Sequence, residues 1–265
     1  MAVAAPHFVG LHLYATPKGV TAFSTTRHGG VSTGSYATLN VNAYCGDQPA
    51  SIAENRRLLC ALLNLPDENR LIIPHQVHDT VVRQITDDFF QLTATQRQDL
   101  LEGVDAVMTD IKEVCIGVST ADCIPIIIYD ASHHAACAVH AGWRGTVGRI
   151  AQKAVAAMAA AYGSNPHDLM AWIGPGISLR NFEVGQEVFD CFSQAGFPME
   201  RISCRYAKWH IDLPLCNRLQ LQDAGVPGEY ITDCGICTYD CVGDFFSARR
   251  QGISSGRIYT GAVLS

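Results

Sequence analysis

The chain has no run of the ~18 consecutive apolar residues that a membrane-spanning helix needs, although 48% of its 265 residues are hydrophobic. A helical membrane protein is therefore not expected, and there is ample material for a buried core. Positive charge is scarce: 19 Lys and Arg stand against 25 Asp and Glu, for a net charge of −6. That argues against a surface built to neutralise nucleic-acid phosphates. Blocks of like charge, low-complexity tracts, internal repeats and interdomain linkers are missing too, so one domain spanning residues 1–265 is expected. The opening stretch, MAVAAPHFVG, has neither a basic start nor a long apolar segment, unlike a secretory signal. Cysteine is plentiful, with eleven, but the count is odd and the residues are scattered. Together these features point to a reduced, cytoplasmic protein whose thiols are metal ligands, nucleophiles or core residues rather than bridges.

What is there centres on Ser119–Gly145, STADCIPIIIYDASHHAACAVHAGWRG. Ile124–Tyr129 has the β-branched and aromatic composition of a strand, Asp130–His133 reads as a turn, and Ala135–His140 reads as a second strand of small residues. As a hairpin with a two-residue loop at Ala131-Ser132, these strands place Cys123 directly opposite His140, with Cβ atoms roughly 5 Å apart. A four-residue loop slides the register and keeps both on one face. Such a pair suits a shared metal or a Cys–His proton pair, although an isolated Cys and His are also ordinary strand-end residues.

The flanking segments supply further candidates. A Gly/Ser/Thr-rich loop around Arg27, from Ser24 to Tyr36, is either an anion cradle or a plain surface loop. Asp47–Leu63 has helical spacing, with Ser51 as cap, Glu54 completing a capping box and Arg56 in mid-helix, a position that by itself favours a solvated side chain. His75 and His78 flank a short strand end, and one of them as a ligand is the simpler expectation. Beyond Gly145 an apolar period of three and four predicts a helix to Tyr162, closed by Gly163, whose N-terminus would aim its free N–H groups back at the Cys/His pair. Cys234-Gly235-Ile236-Cys237 with Cys241 has no second CxxC, so a separate zinc knuckle is not favoured. Short strands alternating with helices predict a mixed α/β (α+β) fold, a layered sandwich of mixed sheets with flanking helices, carrying the Cys/His hairpin at its centre.

The ordered set FSTTRHGGVSTGSYATLNV, HQVHDTVV, DAVMTD, VSTADCIPIIIYD, AACAVHAGWRGT, WIGPGIS, FEVGQEV, CTYDC and FFSARR resembles the laccase-domain family, described as polyphenol oxidases and as multifunctional purine nucleoside enzymes. The likeness runs from about residue 23 to the C-terminus. Asp79 departs from it, since the family usually has Gly there, and a small backbone adjustment is expected. The resemblance implies a metal site of His78, Cys123 and His140, a donor set suited to zinc with one position open, and with copper as the other candidate. It further implies phosphorolysis of adenosine, inosine and methylthioadenosine, and adenosine deamination. On that basis Asp122 is a candidate proton carrier, or equally a carboxylate that orients a ligand histidine, with His75 a weaker candidate. Arg27, Arg56 and the helix N-terminus are placed near phosphate, with Arg249 and Arg250 behind them. Phe246 or Trp143 would stack on the base or pack in the core. The expected partners are purine nucleosides and phosphate, not nucleic acid or membrane, with monomer or dimer left open. Three rivals remain. A copper phenol oxidase would need His-rich ligand sets, and no HxH occurs. A cysteine amidase acting on cell-wall peptides would use Cys123 as nucleophile and His140 as base. The third is a non-catalytic metal-binding module.

Overall fold

A computed structural model describes residues 10–265. Its framework is two sheets packed face to face, with the helix Ile150–Tyr162 on the outer side of one and the helix Pro49–Leu62 on the outer side of the other. The larger sheet has six strands in the order Ile231–Asp233, Leu169–Ile173, Ile124–Asp130, Ala135–Ala141, Ala106–Thr109 and Val82–Gln84. The second has five, in the order Leu11–Leu13, Val20–Thr25, Ile258–Leu264, Cys115–Thr120 and Leu71–Ile72. Both mix parallel and antiparallel pairs. A third sheet of three short strands lies around Trp209–Ile211. This is the mixed α/β sandwich that the alternation of short strands and helices predicts, and none of the sheets closes into a barrel.

The hairpin Ile124–Asp130 with Ala135–Ala141 sits in the middle of the six-stranded sheet and is buried on both faces, which is why it reads as a nearly unbroken apolar run. On one face Ile124, Ile126, Ile128, Cys137 and Val139 pack against Ala151, Ala154, Val155 and Met158 of the helix Ile150–Tyr162. On the other, Ile127, Tyr129, Ala136 and Ala138 meet Ile116, Val118 and Ala262 of the five-stranded sheet. Alanine recurs on the second hairpin strand because bulkier side chains would not fit between two sheets whose backbones are held close.

The hairpin takes the longer of the two loops considered, and helix boundaries differ from the expectations in two places. Ala131–His134 forms a four-residue turn, so His140 pairs with Pro125, and Cys123 stands one step beyond the last paired residue, Ile124. The longer loop wins because Asp130 accepts the backbone N–H groups of Ser132 and His133 within it. The first long helix runs Pro49–Leu62 and is preceded by Gln48 without a side-chain cap, so Ser51 lies inside it and Glu54 pairs with Arg57 instead. Proline at the first helical position opens that helix without a cap. After the hairpin the chain makes a five-residue helix, Trp143–Val147, then breaks at Gly148 and Arg149, the latter at φ 63°, before the longer helix starts at Ile150. The long N-terminal dipole expected beside the Cys/His pair is consequently not there, and the short turn offers no comparable field.

Replacing Ala138 with Leu forces a bulky side chain between the two sheets. It is expected to destabilise the fold by about 1–3 kcal/mol, read as a lower midpoint in denaturant unfolding; an unchanged midpoint would show that the inter-sheet layer has room to spare.

Candidate metal centre and cleft

Three loops and strand ends meet at one end of the hairpin. His140 is the penultimate residue of its strand. Cys123 lies in the bend between the strands Cys115–Thr120 and Ile124–Asp130, just after Asp122, whose φ is 88°. His78 follows the Leu71–Ile72 strand in a loop and has φ 66°. What holds the two histidines together is Asp105, a carboxylate with no solvent exposure at the mouth of the strand Ala106–Thr109. Its Oδ1 accepts from His140 Nδ1 at 2.7 Å and from the backbone N–H of His78 at 3.0 Å. Its Oδ2 accepts the N–H groups of Val77 at 3.2 Å and Asp79 at 2.9 Å, and its carbonyl accepts from His140 N at 2.8 Å. One side chain thus folds the 77–79 loop and sets the His140 ring with Nε2 facing away from the carboxylate. Asp79 meets Asp105 through its backbone N–H, and its own Oδ1 accepts from Thr80 N at 2.8 Å.

The donor atoms of His78, Cys123 and His140 all lie within 4.8 Å of one another. The two imidazole rings meet edge to face, centroids 4.8 Å apart at 76°. A side chain at Gly142 would stand 2.8 Å from His78 Cδ2 and 3.0 Å from Cys123 Sγ, so this glycine lets the backbone close against the trio. Burial runs from His140 inside to His78 outside. Burial alone would hold Cys123 protonated, but the positive charge of His140 and hydrogen bonds from both histidines overcome it and bring the thiol down to about 6. Burial would likewise discharge His140, yet the Cys123 thiolate and the Asp105 bond hold the imidazole up at about 9. Despite its own burial, Asp105 is kept below the usual carboxylate range by His140 and the backbone N–H groups it accepts. A thiolate and two imidazoles converging on one point, one imidazole fixed by a carboxylate behind it, fit a divalent ion of the zinc or copper type.

The trio opens on a cleft of about 470 Å³. Asp122, Arg249 and His75 border it. Asp122 is held on both oxygens: Oδ1 accepts from Thr238 Oγ1 at 2.7 Å and Oδ2 from the Arg249 backbone N–H at 2.6 Å. It is the clamp that fastens the CTYDC and FFSARR segments to the site, and the carboxylate behind a ligand histidine is Asp105 instead. Arg27, Arg56, Phe246, Trp143 and Arg250 do not line this cleft. Arg27 donates to the carbonyls of Ala37 and Val242 and lies 4.7 Å above the Phe246 ring, which is fully buried between it and Gly256. Arg56 donates to Val41 O and borders a separate pocket beside Glu68. Arg250 donates to Tyr239 O, and Trp143 packs against the core. These cations are spent on bracing loops, a use that residue type cannot distinguish from anion binding. Asp105, Gly142, Tyr44 and Arg257 were missed. Asp105 was visible as the first residue of DAVMTD, but it read only as the edge of a strand. Cys237 accepts from Ser178 N and Asn181 Nδ2 and so ties loops, and among the described residues no second group of three ligands converges.

In the metal-free protein the Cys123 thiolate is expected to form as pH rises through about 6, well before the buried thiols of Cys115, Cys137 and Cys216, which burial pushes up. Ultraviolet thiolate absorbance, compared with Cys123→Ser, checks this; a midpoint above 8 would refute the ion pair. Asp105→Asn should weaken metal affinity roughly ten- to a hundredfold by competition against a chelator, and unaltered affinity would show that the histidines orient themselves.

Residues 21–265 match the family model described as multi-copper polyphenol oxidoreductase laccase. A purine nucleoside phosphorylase from Bacteroides thetaiotaomicron is 42% identical over 260 residues, covering 97% of this chain and 96% of its own. The adenosine deaminase RL5 of an unknown prokaryotic organism is 40% identical over 247 residues, 92% of this chain and 94% of its own. The crystal structure of YlmD from Geobacillus stearothermophilus superposes with a TM-score of 0.85 at 32% identity, covering 93% of this chain and 92% of that one. With a match over nearly all of its length and this identity to its relatives, the chain belongs to the multi-copper polyphenol oxidoreductase laccase family.

Proposed function

We propose that the chain is a divalent-metal-dependent purine nucleoside enzyme. It phosphorolyses adenosine, inosine and methylthioadenosine to free base and ribose 1-phosphate, and it deaminates adenosine. The observation that carries this reading is the convergence of His78, Cys123 and His140 on the wall of a cleft of about 470 Å³, a volume within the range of small-molecule sites. Relatives named purine nucleoside phosphorylase and adenosine deaminase support it. Zinc suits the ligand set, with copper as the alternative; when bound, the ion supplies Lewis acidity towards an oxygen nucleophile or a leaving group. Asp105 keeps one ligand imidazole oriented, and Gly142 keeps the backbone close. Arg249 and Arg257 bring positive charge to the cleft wall where phosphate would sit, and Phe182 and Ile177 supply apolar surface for a purine. One converging ligand group among the described residues does not support a reading that needs several linked coppers.

A specific observation favours a second reading. Cys123, His140 and Asp105 stand in the order nucleophile, base and orienting carboxylate, which is the arrangement of a cysteine amidase. Product analysis of adenosine by mass spectrometry, with and without phosphate and on metal-quantified protein, separates the readings. Free adenine with ribose 1-phosphate, or inosine, is the expected result, with both lost after chelation. Cys123→Ser should lose metal and turnover together; full nucleoside turnover by a metal-free variant would refute the metal-dependent reading. Activity on peptides that survives chelation and ends on thiol alkylation would replace it with the amidase.

A further inference from the structure

A second imidazole borders the same cleft, and its surroundings hold it as a proton carrier is held. His75 lies outside the ligand trio, on the wall beside Tyr44. Its Nδ1 donates to Glu102 Oε1 at 2.7 Å. Its ring is stacked on Tyr44, centroids 3.9 Å apart and planes 17° from parallel. Its backbone N–H donates to Leu101 O at 3.0 Å, which fastens the histidine to the segment that carries Glu102. A ring fixed by a carboxylate at one nitrogen and an aromatic plane on one face has a single orientation and a single tautomer. With the proton on Nδ1, the lone pair sits on Nε2, which has no hydrogen-bond partner among the described residues. The side chain is one-third exposed, so water and ligands reach it. Asp122, the other acid–base group at this wall, has one oxygen engaged by Thr238 and the other by Arg249 N, and is poorly placed to exchange protons.

We propose that His75, oriented by Glu102, is the catalytic proton carrier of purine deamination in this cleft, a role that rests on the purine nucleoside reading above. In that reaction the oxygen of water bonds to C6 of the purine and the C6–N6 bond breaks. Of the two water protons, one ends on ring N1 and one on the departing nitrogen, which leaves as ammonia with the electron pair of the broken bond. His75 Nε2 takes each proton from oxygen and gives it up again, so the histidine is unchanged over the cycle. Tyr44 keeps the ring upright against the wall while it does so. On its own wall His75 is flanked by Glu102 and Tyr44. The other ionisable groups bordering the cleft are Cys45, Asp122, Arg249 and Arg257, together with the trio.

The test uses metal-loaded full-length protein with adenosine and no phosphate. His75→Gln is expected to lower kcat for ammonia release roughly a hundredfold or more, with KM, metal content and melting temperature unchanged. Added imidazole should restore part of the rate in His75→Gly. In Glu102→Gln the ring loses the carboxylate that orients it, so kcat should fall roughly tenfold or more with KM and metal content unchanged. A His75→Gln rate within about threefold of the wild type, or an unchanged kcat in Glu102→Gln together with no imidazole rescue, overturns the role of His75 while leaving the nucleoside reading in place. A wild-type chain that releases neither ammonia nor free base from any purine nucleoside overturns both.

Discussion

The Asp105 carboxylate is the constraint from which the site follows. A fully buried carboxylate is costly unless each oxygen is satisfied, and here both accept two donors. Three of those donors are consecutive backbone N–H groups, and they bend the 77–79 loop so that His78, in a left-handed conformation, turns towards the hairpin. The fourth is the His140 ring. Removing that one charge would therefore loosen a loop, a ring and the positive charge that ionises Cys123, all at once. The three candidate ligands belong to separate segments of the chain, and a common anchor places two of them on one atom group.

The same economy governs the cleft. Asp122 holds its own left-handed turn in place by accepting from Thr238 and from the backbone of Arg249, which draws the two C-terminal motifs up to Cys123. Arg27 acts alike from the other side, joining the carbonyls of Ala37 and Val242 over the Phe246 ring. Polar groups that look like reagents in the sequence are largely engaged in holding loops. Besides Asp122, the groups that border the cleft are fewer: the trio, His75, Arg249 and Arg257, and the two arginines also brace carbonyls, Arg249 that of Glu183 and Arg257 those of Ile253, Ser255 and Gly256.

Much of this was legible before any coordinates. The β-branched run Ile124–Tyr129 and the small-residue run Ala135–His140 announce a hairpin buried on both sides, and their ends announce that Cys123 and His140 are near one another. Register was not legible, because the turn length depends on Asp130 capturing two backbone N–H groups, a local competition that hydrophobic pattern does not record. The break at Gly148 and Arg149 was hidden by a helical period that continues across it: Gly148 packs against Thr80, where a side chain would collide at 2.7 Å. Asp105 escaped notice because a carboxylate at a strand edge is usually solvated, and only the fold shows that four donors surround it. Arg27 and Arg56 misled for the opposite reason, since a guanidinium serves carbonyl oxygens as readily as phosphates.

The position of the strand Ile258–Leu264 has a bearing on how the molecule comes into being. It lies between Val20–Thr25 and Cys115–Thr120, pairing Thr260 with Ser24 and Ile258 with Thr120. During synthesis, the two flanking strands emerge long before the one that joins them, and they must wait with open edges. The sheet that backs the hairpin can close only after residues 258–264 have left the ribosome, so a translation product interrupted before them has no intact platform on which to assemble the cleft.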